Sequence, residues 1–314
     1  MNKKRYIVTH ANPDLDAVCA VWLIKRFWNG WETSETMFVP AGETLASYRK
    51  KASDAYLYEG DLTDAEIVHV DTGMGMFDHH QTHSDTCAAK IICESLIDAQ
   101  ENGTGQYNDT ISIQPRHFSK EVLKRLTDEV NEFDHFREVY YPDATADRYQ
   151  FMLADILDGL NLLYNNQGSG DVQVVAHGCT SLDAIYRVLQ NKAGAEQEIE
   201  GSDKIEIITS YGRAVGFETG NDAVLDIAQK QGFCIAVRKD KHKGYVRIKS
   251  LPDKQIDLTP VYTKLKRMDT KATWFLHASH AMLLNGSTKN PNMRPSVLTL
   301  ADIMGVLEEA FPRA

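Results

Sequence analysis

The chain lacks a long apolar run: nowhere in its 314 residues do the ~18 consecutive apolar side chains of a membrane helix occur, so no helical span is expected. The opening Met1-Asn2-Lys3-Lys4-Arg5 leads directly into Tyr6-Ile7-Val8-Thr9-His10, too short an apolar stretch for a signal peptide, and a cytoplasmic location is expected. The Asn-x-Ser/Thr matches at Asn108 and Asn285 then carry no weight. Cysteine is also scarce. Cys19, Cys87, Cys93, Cys179 and Cys234 are odd in number and form no CxxC pair, which argues for reduced core residues and against a disulfide framework or a zinc-thiolate site. Positive charge is in short supply as well. With 34 Lys and Arg against 44 Asp and Glu, the net charge of -10 disfavours a surface built to wrap long nucleic acid. It leaves room for a small or short phosphorylated substrate, provided that divalent cations offset the charge locally.

The composition that remains, 43% hydrophobic and 25% charged, is that of an ordinary globular protein, and the length favours two domains. The first half alternates strand-like and helix-like patterns, which predicts an α/β domain with a mainly parallel sheet and flanking helices. Strands are expected at 5–10, 37–40 and 66–70. Helices are expected from Asp14 onward, where Ala17, Ala20, Val21, Ile24 and Phe27 recur at helical spacing, and at 86–99, 119–133, 148–163 and 181–191. Exposed loops are expected at 102–109 and 165–170, and a polar helix or connector at 193–203. A boundary there divides the chain into 1–195 and 196–314. The second part reads as a smaller α+β domain, with strands at 204–209, 214–218, 233–238 and 245–250 and helices at 222–231, 261–268 and 300–310. There is no internal repeat and no low-complexity tract.

Carboxylates and imidazoles fall in short clusters beside expected strand ends, which is what a two-metal hydrolytic site requires. His10, Asp14 and Asp16 occupy the loop between the first strand and its helix, where Pro13 stiffens the turn. Asp14 alone would also serve as an N-cap, and His10 as a satisfied strand-end histidine. Asp71 closes the apolar run 67–70, and Gly73 and Gly75 then allow a sharp turn into Asp78-His79-His80. In open α/β sheets ligands sit at the carboxyl ends of strands, where both His10 and Asp71 fall. Nitrogen and carboxylate ligands without thiolates suit Mn2+, with Mg2+ or Co2+ as substitutes. Neutral imidazoles are needed for coordination, so activity is expected to fall below about pH 6. Further on, the basic stretch Arg238-Lys239-Asp240-Lys241-His242-Lys243 surrounds a turn at Gly244, and Arg247, held on a strand, is the better phosphate candidate.

Asn12-Pro13-Asp14-Leu15-Asp16-Ala17, the strand-end Asp71 and Asp78-His79-His80 together resemble the first three motifs of the DHH phosphoesterase superfamily, over about the first 135 residues. The short gap between Asp71 and Asp78, and the following Gln81, are similar to the melanocyte-proliferating-gene family of metal-dependent exonucleases. That family opens with a different His and Asp arrangement, whereas residues 12–17 follow the DHH form. The resemblance implies that His10 and Asp14 hold one ion and Asp16 and His79 another, with Asp71 bridging. Asp134 best matches the family's fourth-motif aspartate, whose bland alternative is an exposed helical Asp. By the same resemblance His80 would approach the scissile phosphate, and Asp78 would orient its neighbours. The family's second domain grips substrate with a glycine-rich segment ending in histidine. Trp274-Phe275-Leu276-His277-Ala278-Ser279-His280 occupies that place without the glycine triplet, so either His277 or His280 would contact phosphate or be a plain structural histidine. The implied activity is in-line attack on phosphorus by a two-metal-activated hydroxide, most directly a phosphodiesterase acting on short or single-stranded nucleic acid or a small nucleotide. A phosphomonoesterase or inorganic pyrophosphatase on the same metals, a non-catalytic metal-binding regulatory module, and assembly as a homodimer remain open.

Overall fold

A computed structural model describes residues 3–51, 62, 64–164, 169–201, 203–252, 255–287 and 289–313. The chain is α/β and divides into two compact units, Met1–Leu189 and Gln190–Ala314. The first unit is built on a three-stranded parallel sheet of β1 (Arg5–His10), β2 (Glu35–Val39) and β3 (Glu66–His69) in the order β2-β1-β3. β1 is buried on both faces, as a central parallel strand should be. Tyr6 and Val8 pack with Met37, Val39 and Leu45 on one side, while Ile7 joins the main core on the other.

That main core is organised around α1 (Leu15–Phe27), in which every residue except Lys25 and Arg26 is buried. A helix apolar all round has to be enclosed by other elements. It is packed by α3 (Ala88–Asn102) and α4 (Lys120–Asp134), with α5 (Leu153–Tyr164) and α6 (Gly170–Glu200) contributing Leu157, Val174, Val175 and Leu182. Trp28, Trp31, Phe77 and Tyr107 are joined within the core by a chain of edge-on and tilted ring contacts. The remaining elements of this unit are α2 (Leu45–Lys51), the two-stranded ribbon β4 (Gly105–Gln106) and β5 (Ser112–Ile113), and two short 3-10 turns, Arg137–Tyr140 and Asp147–Phe151.

The second unit carries a mixed six-stranded sheet in the order β10-β11-β9-β8-β7-β6, in which only β7 and β8 run parallel. Its strands are β6 (Lys204–Thr209), β7 (Gly212–Glu218), β8 (Ile235–Lys239), β9 (Val246–Ser250), β10 (Phe275–Leu276) and β11 (Met282–Asn285). One face packs on α8 (Thr259–Met268) and α9 (Leu300–Ala310), and part of the other packs on α7 (Ala223–Lys230).

Several expectations shift. The helix expected over 148–163 breaks at Met152, an extended residue between a 3-10 turn and α5. The helix expected over 181–191 and the connector over 193–203 are one helix, α6, so position 195 is helix interior rather than a linker. The loop expected at 102–109 contains β4, and four residues of the other expected loop, 165–168, lie outside the described residues.

Gly178 lies where α6 crosses α1: a Cβ there would sit 2.3 Å from Val18 Cγ1 and 3.2 Å from Leu157 Cδ2. Gly159, on α5, has open space at the same point. Alanine gains helix propensity at both sites, by up to ~1 kcal/mol, but overpacking a rigid core against a β-branched neighbour costs roughly 1–3 kcal/mol. In urea unfolding followed by tryptophan fluorescence, Gly159→Ala is expected to stabilise slightly and Gly178→Ala to destabilise by about 1–2 kcal/mol. Equal stabilisation by both would refute the close crossing.

Candidate metal centre

β1 delivers His10 to the carboxyl edge of the parallel sheet, and the loop that follows is fixed at several points. Asn12 takes a left-handed conformation (φ 56°), and its N–H donates to Asp171 Oδ1 of α6 at 3.2 Å. The Pro13 carbonyl accepts from Asn161 Nδ2 of α5 at 3.1 Å. Asp14 does cap α1: its Oδ1 accepts from the Ala17 N–H at 3.0 Å. Its other oxygen lies 3.8 Å from His10 Nε2, so capping and ligation are compatible roles for the two oxygens of one carboxylate. His10 Nδ1 is 3.0 Å from the Ala11 carbonyl. That contact engages Nδ1 as a donor, so that when His10 is neutral for coordination the proton stays on Nδ1 and the Nε2 lone pair is the one turned to a cation beside Asp14 and Asp71.

Asp71 stands just past β3, in a left-handed conformation (φ 52°) and 2% exposed. Its two oxygens divide between two histidines: Oδ2 is 3.2 Å from His10 Nε2, and Oδ1 is 3.4 Å from His79 Nε2. The turn from Asp71 to Asp78 is closed by the Asp71 N–H donating to the Phe77 carbonyl at 2.8 Å and by Asp78. Asp78 is itself buried, and both of its oxygens are engaged. Oδ2 accepts the Met74 N–H at 2.7 Å, while Oδ1 accepts the His80 N–H at 3.1 Å and meets His80 Nδ1 at 2.7 Å. This holds the imidazole of His80 by Nδ1 and leaves its Nε2 facing outward on a half-exposed side chain.

A second cluster gathers Asp16, His79 and Asp134. Asp16 is buried in the first turn of α1, and its two oxygens accept the N–H groups of Ala88 and Ala89, both at 2.8 Å, at the start of α3. The helix dipole and these two donors hold the carboxylate there. Its Oδ2 is also 3.7 Å from His79 Nε2. Asp134, the last residue of α4, places Oδ2 3.7 Å from His79 Nδ1 and 3.5 Å from His135 Nδ1. Three groups result whose ligand atoms lie within 4.8 Å of one another: His10, Asp14 and Asp71; Asp16, His79 and Asp134; and Asp71, His79 and His80.

The electrostatics of this arrangement call for cations. Asp71 Oδ1 and His79 Nε2 are both shut off from water and neither has a hydrogen-bond partner among the described residues, although they face each other. A cation between such donor atoms would satisfy both. Burial, reinforced by the charge of Asp71, raises the pKa of Asp14 and Asp16 above the ordinary carboxyl value. Burial raises Asp134 in the same way, against the pull of His79. Burial also opposes ionisation of Asp71, but the two imidazoles prevail and hold it below the usual range. Burial opposes charge on His10, yet its contact with Asp71 and the charge of Asp14 raise it to about 9. His79, beside Asp71, is likewise raised to about 9 against a smaller opposing effect of burial.

The residues expected to grip substrate are each tied locally within the second unit. Arg247 of β9 donates to Asp222 Oδ2 at 2.7 Å. His277 and His280 lie in the turn between β10 and β11; His277 Nδ1 meets Ser279 Oγ at 2.8 Å, and His280 Nδ1 meets Asp257 Oδ1 at 3.1 Å. Sequence reasoning passed over a cavity of about 300 Å³ beside Asp16 and Asp134, walled also by Phe136, Glu138, Asp155 and Asp158. The pair Asp155 and Asp158, one helical turn apart on α5, was its only sequence signal.

In the metal-free protein His10 and His79 keep their protons to about pH 9, whereas an unfolded chain releases them near 6.5. Their stabilisation is therefore complete below about pH 6.5 and is lost as pH rises towards 9. The raised carboxyls of Asp14, Asp16 and Asp134 act in the same sense, since ionising them in the fold is harder than in the unfolded chain. Cation binding requires neutral imidazoles and ionised carboxylates, so its affinity grows over the same window. With a chelator present the melting temperature is expected to fall between pH 6.5 and 9, and Mn2+ is expected to raise it by an increment that widens towards pH 9. An increment that is zero or independent of pH rules out this donor set. No protein-family model matches the chain, and no match to it was found among curated proteins.

Proposed function

We propose that this chain is a DHH-type metal-dependent phosphoesterase, acting as a phosphodiesterase on short or single-stranded nucleic acid or a small nucleotide. The observation that carries the reading is the buried carboxylate of Asp71, with one oxygen beside His10 and the other beside His79, between two clusters of nitrogen and carboxylate donors. His10, Asp14 and Asp71 would hold one Mn2+; Asp16, His79 and Asp134, with Asp71 shared, would hold a second. Mg2+ or Co2+ are substitutes for an all nitrogen and oxygen donor set. Ions so held would lower the pKa of water and neutralise charge growing on phosphate oxygens.

The protein's own part is positioning. Asp78 fixes His80 by Nδ1, so that Nε2 is presented to a phosphate oxygen without a search through rotamers. The N–H groups of Ala88 and Ala89 keep the Asp16 carboxylate oriented and offset part of the burial that opposes its ionisation. Within the DHH layout the second unit would supply substrate contacts through Arg247, His277 or His280, and the protein would work in the cytoplasm, with homodimer formation compatible.

The Mn2+-loaded protein should be offered single-stranded RNA and DNA, dinucleotides, cyclic dinucleotides, a phosphomonoester and pyrophosphate. Diester hydrolysis is expected, falling to background in Asp71→Ala and His79→Ala. Turnover of only the monoester or pyrophosphate would replace the diesterase by a phosphomonoesterase or pyrophosphatase. Hydrolysis unchanged in both variants would leave a non-catalytic metal-binding module. Asp78→Ala, which frees His80 without removing a metal donor, should lower kcat by about 10- to 100-fold while keeping the Mn2+-induced rise in melting temperature.

A further inference from the structure

Two residues beyond Asp134 the chain leaves α4 through Phe136, which holds φ 56° and ψ 28°. A left-handed residue after a helix cap is ordinarily glycine, and a bulky side chain there is uncommon. Phe136 is 73% exposed and forms part of the wall of the cavity that also touches Asp14, Asp16 and Asp134. Core packing therefore does not account for an aromatic side chain at this position.

The chemistry of that wall is one-sided. Among the described residues it contains no lysine or arginine, so away from the metal residues it offers nothing that attracts a phosphate. Beyond the metal residues it offers the carboxylates of Glu138, Asp155 and Asp158, which in ionised form only accept hydrogen bonds. Glu138 Oε2 is shielded from solvent and has no hydrogen-bond partner among the described residues. A group that fits has a flat face for the ring and N–H donors on its edge, and a nucleobase with an amino group has both. An organic ammonium is the electrostatic rival, but it is held best by rings on several sides, whereas among the described residues of this wall Phe136 stands open and the other ring, Phe133, is half-buried.

Resting on the phosphoesterase reading above, we propose that Phe136 is the stacking platform for the base next to the reacting phosphate and that Glu138 accepts a hydrogen bond from its amino group. The substrate is then a nucleotide ester carrying adenine, cytosine or guanine in preference to uracil.

The full-length Mn2+-loaded protein should be titrated calorimetrically with CMP, UMP and ribose 5-phosphate. CMP is expected to bind about 5- to 100-fold more tightly than ribose 5-phosphate, the range expected for one stacked base. Phe136→Gly should close that gap and Phe136→Tyr should keep it. Glycine relieves the left-handed backbone, so Phe136→Gly should melt no lower than the parent, which separates lost stacking from lost folding. Glu138→Gln should remove the preference for CMP over UMP. Equal binding of CMP and ribose 5-phosphate, a gap that survives in Phe136→Gly, or phosphocholine binding more tightly than CMP each overturns the proposal while leaving the phosphoesterase reading in place. Failure of all these phosphates to bind in a Mn2+- and Asp71-dependent way overturns both.

Discussion

A carboxylate sealed from water needs compensation at each of its oxygens, and Asp71 sets Oδ2 against His10 and leaves Oδ1 facing His79 with room for a cation, the two imidazoles drawn from different parts of the chain. The parallel pairing of β1 with β3 sets Val8 beside His69, and the same register carried two residues further brings His10 beside Asp71. His79 arrives on the other side because the chain turns back within a few residues and bonds the Asp71 N–H to the Phe77 carbonyl. The left-handed backbone at Asp71, tolerated better by Asp than by most residues, directs the side chain inward at the point where the sheet ends. Sheet register, turn and buried carboxylate are thus mutually dependent.

Around this pair the centre gathers more negative charge than its own histidines offset. Asp14 and Asp134 are raised by burial and by Asp71, which marks stability given up in the metal-free state. Asp16 is in the same position, but it is also built into the scaffold, since it supplies acceptors for the first N–H groups of α3. Removing it would leave two buried helix donors unsatisfied as well as deleting a metal donor. An almost wholly buried α1 provides the rigid base from which Asp14 and Asp16 project, and its apolar enclosure tolerates acidic groups only at its N-terminal end.

Much of this was legible because it lay in short-range patterns. The apolar run of β1, the helical spacing after Asp14 and the clusters at 10–16 and 71–80 set out the strand, the helix and the donors, and the structure brings His10, Asp14, Asp16, Asp71, His79 and Asp134 into contacting groups. What escaped depends on contacts distant in sequence. Nothing within residues 14–18 announces that Asp16 caps α3, whose first residues lie more than seventy positions on. The unbroken α6 was obscured by its many polar and small residues, which composition alone reads as a connector. β10 and β11 were not anticipated as strands, because the short stretch around His277 and His280 owes its strand character to pairing of β10 with β11 and of β11 with β9. Phe136 gave no periodic signal, since its significance lies in a backbone conformation that its residue type does not favour.

The tripeptide Asp78-His79-His80 invites a reading as three equivalent donors, yet the geometry divides it into three tasks. Both oxygens of Asp78 are consumed, one by the Met74 N–H and the other by His80. His79 points inward to Asp71 and Asp16, and His80 points outward. A turn this short between Asp71 and Asp78 leaves backbone N–H groups unmatched, and the Asp78 carboxylate answers one of them from inside the turn. The short gap and the acid at its end are therefore one device. An amide at position 78 could still accept from Met74 N–H through its oxygen, but it would bring no charge to the imidazole of His80, so the acid is required by the histidine it holds more than by the turn it closes.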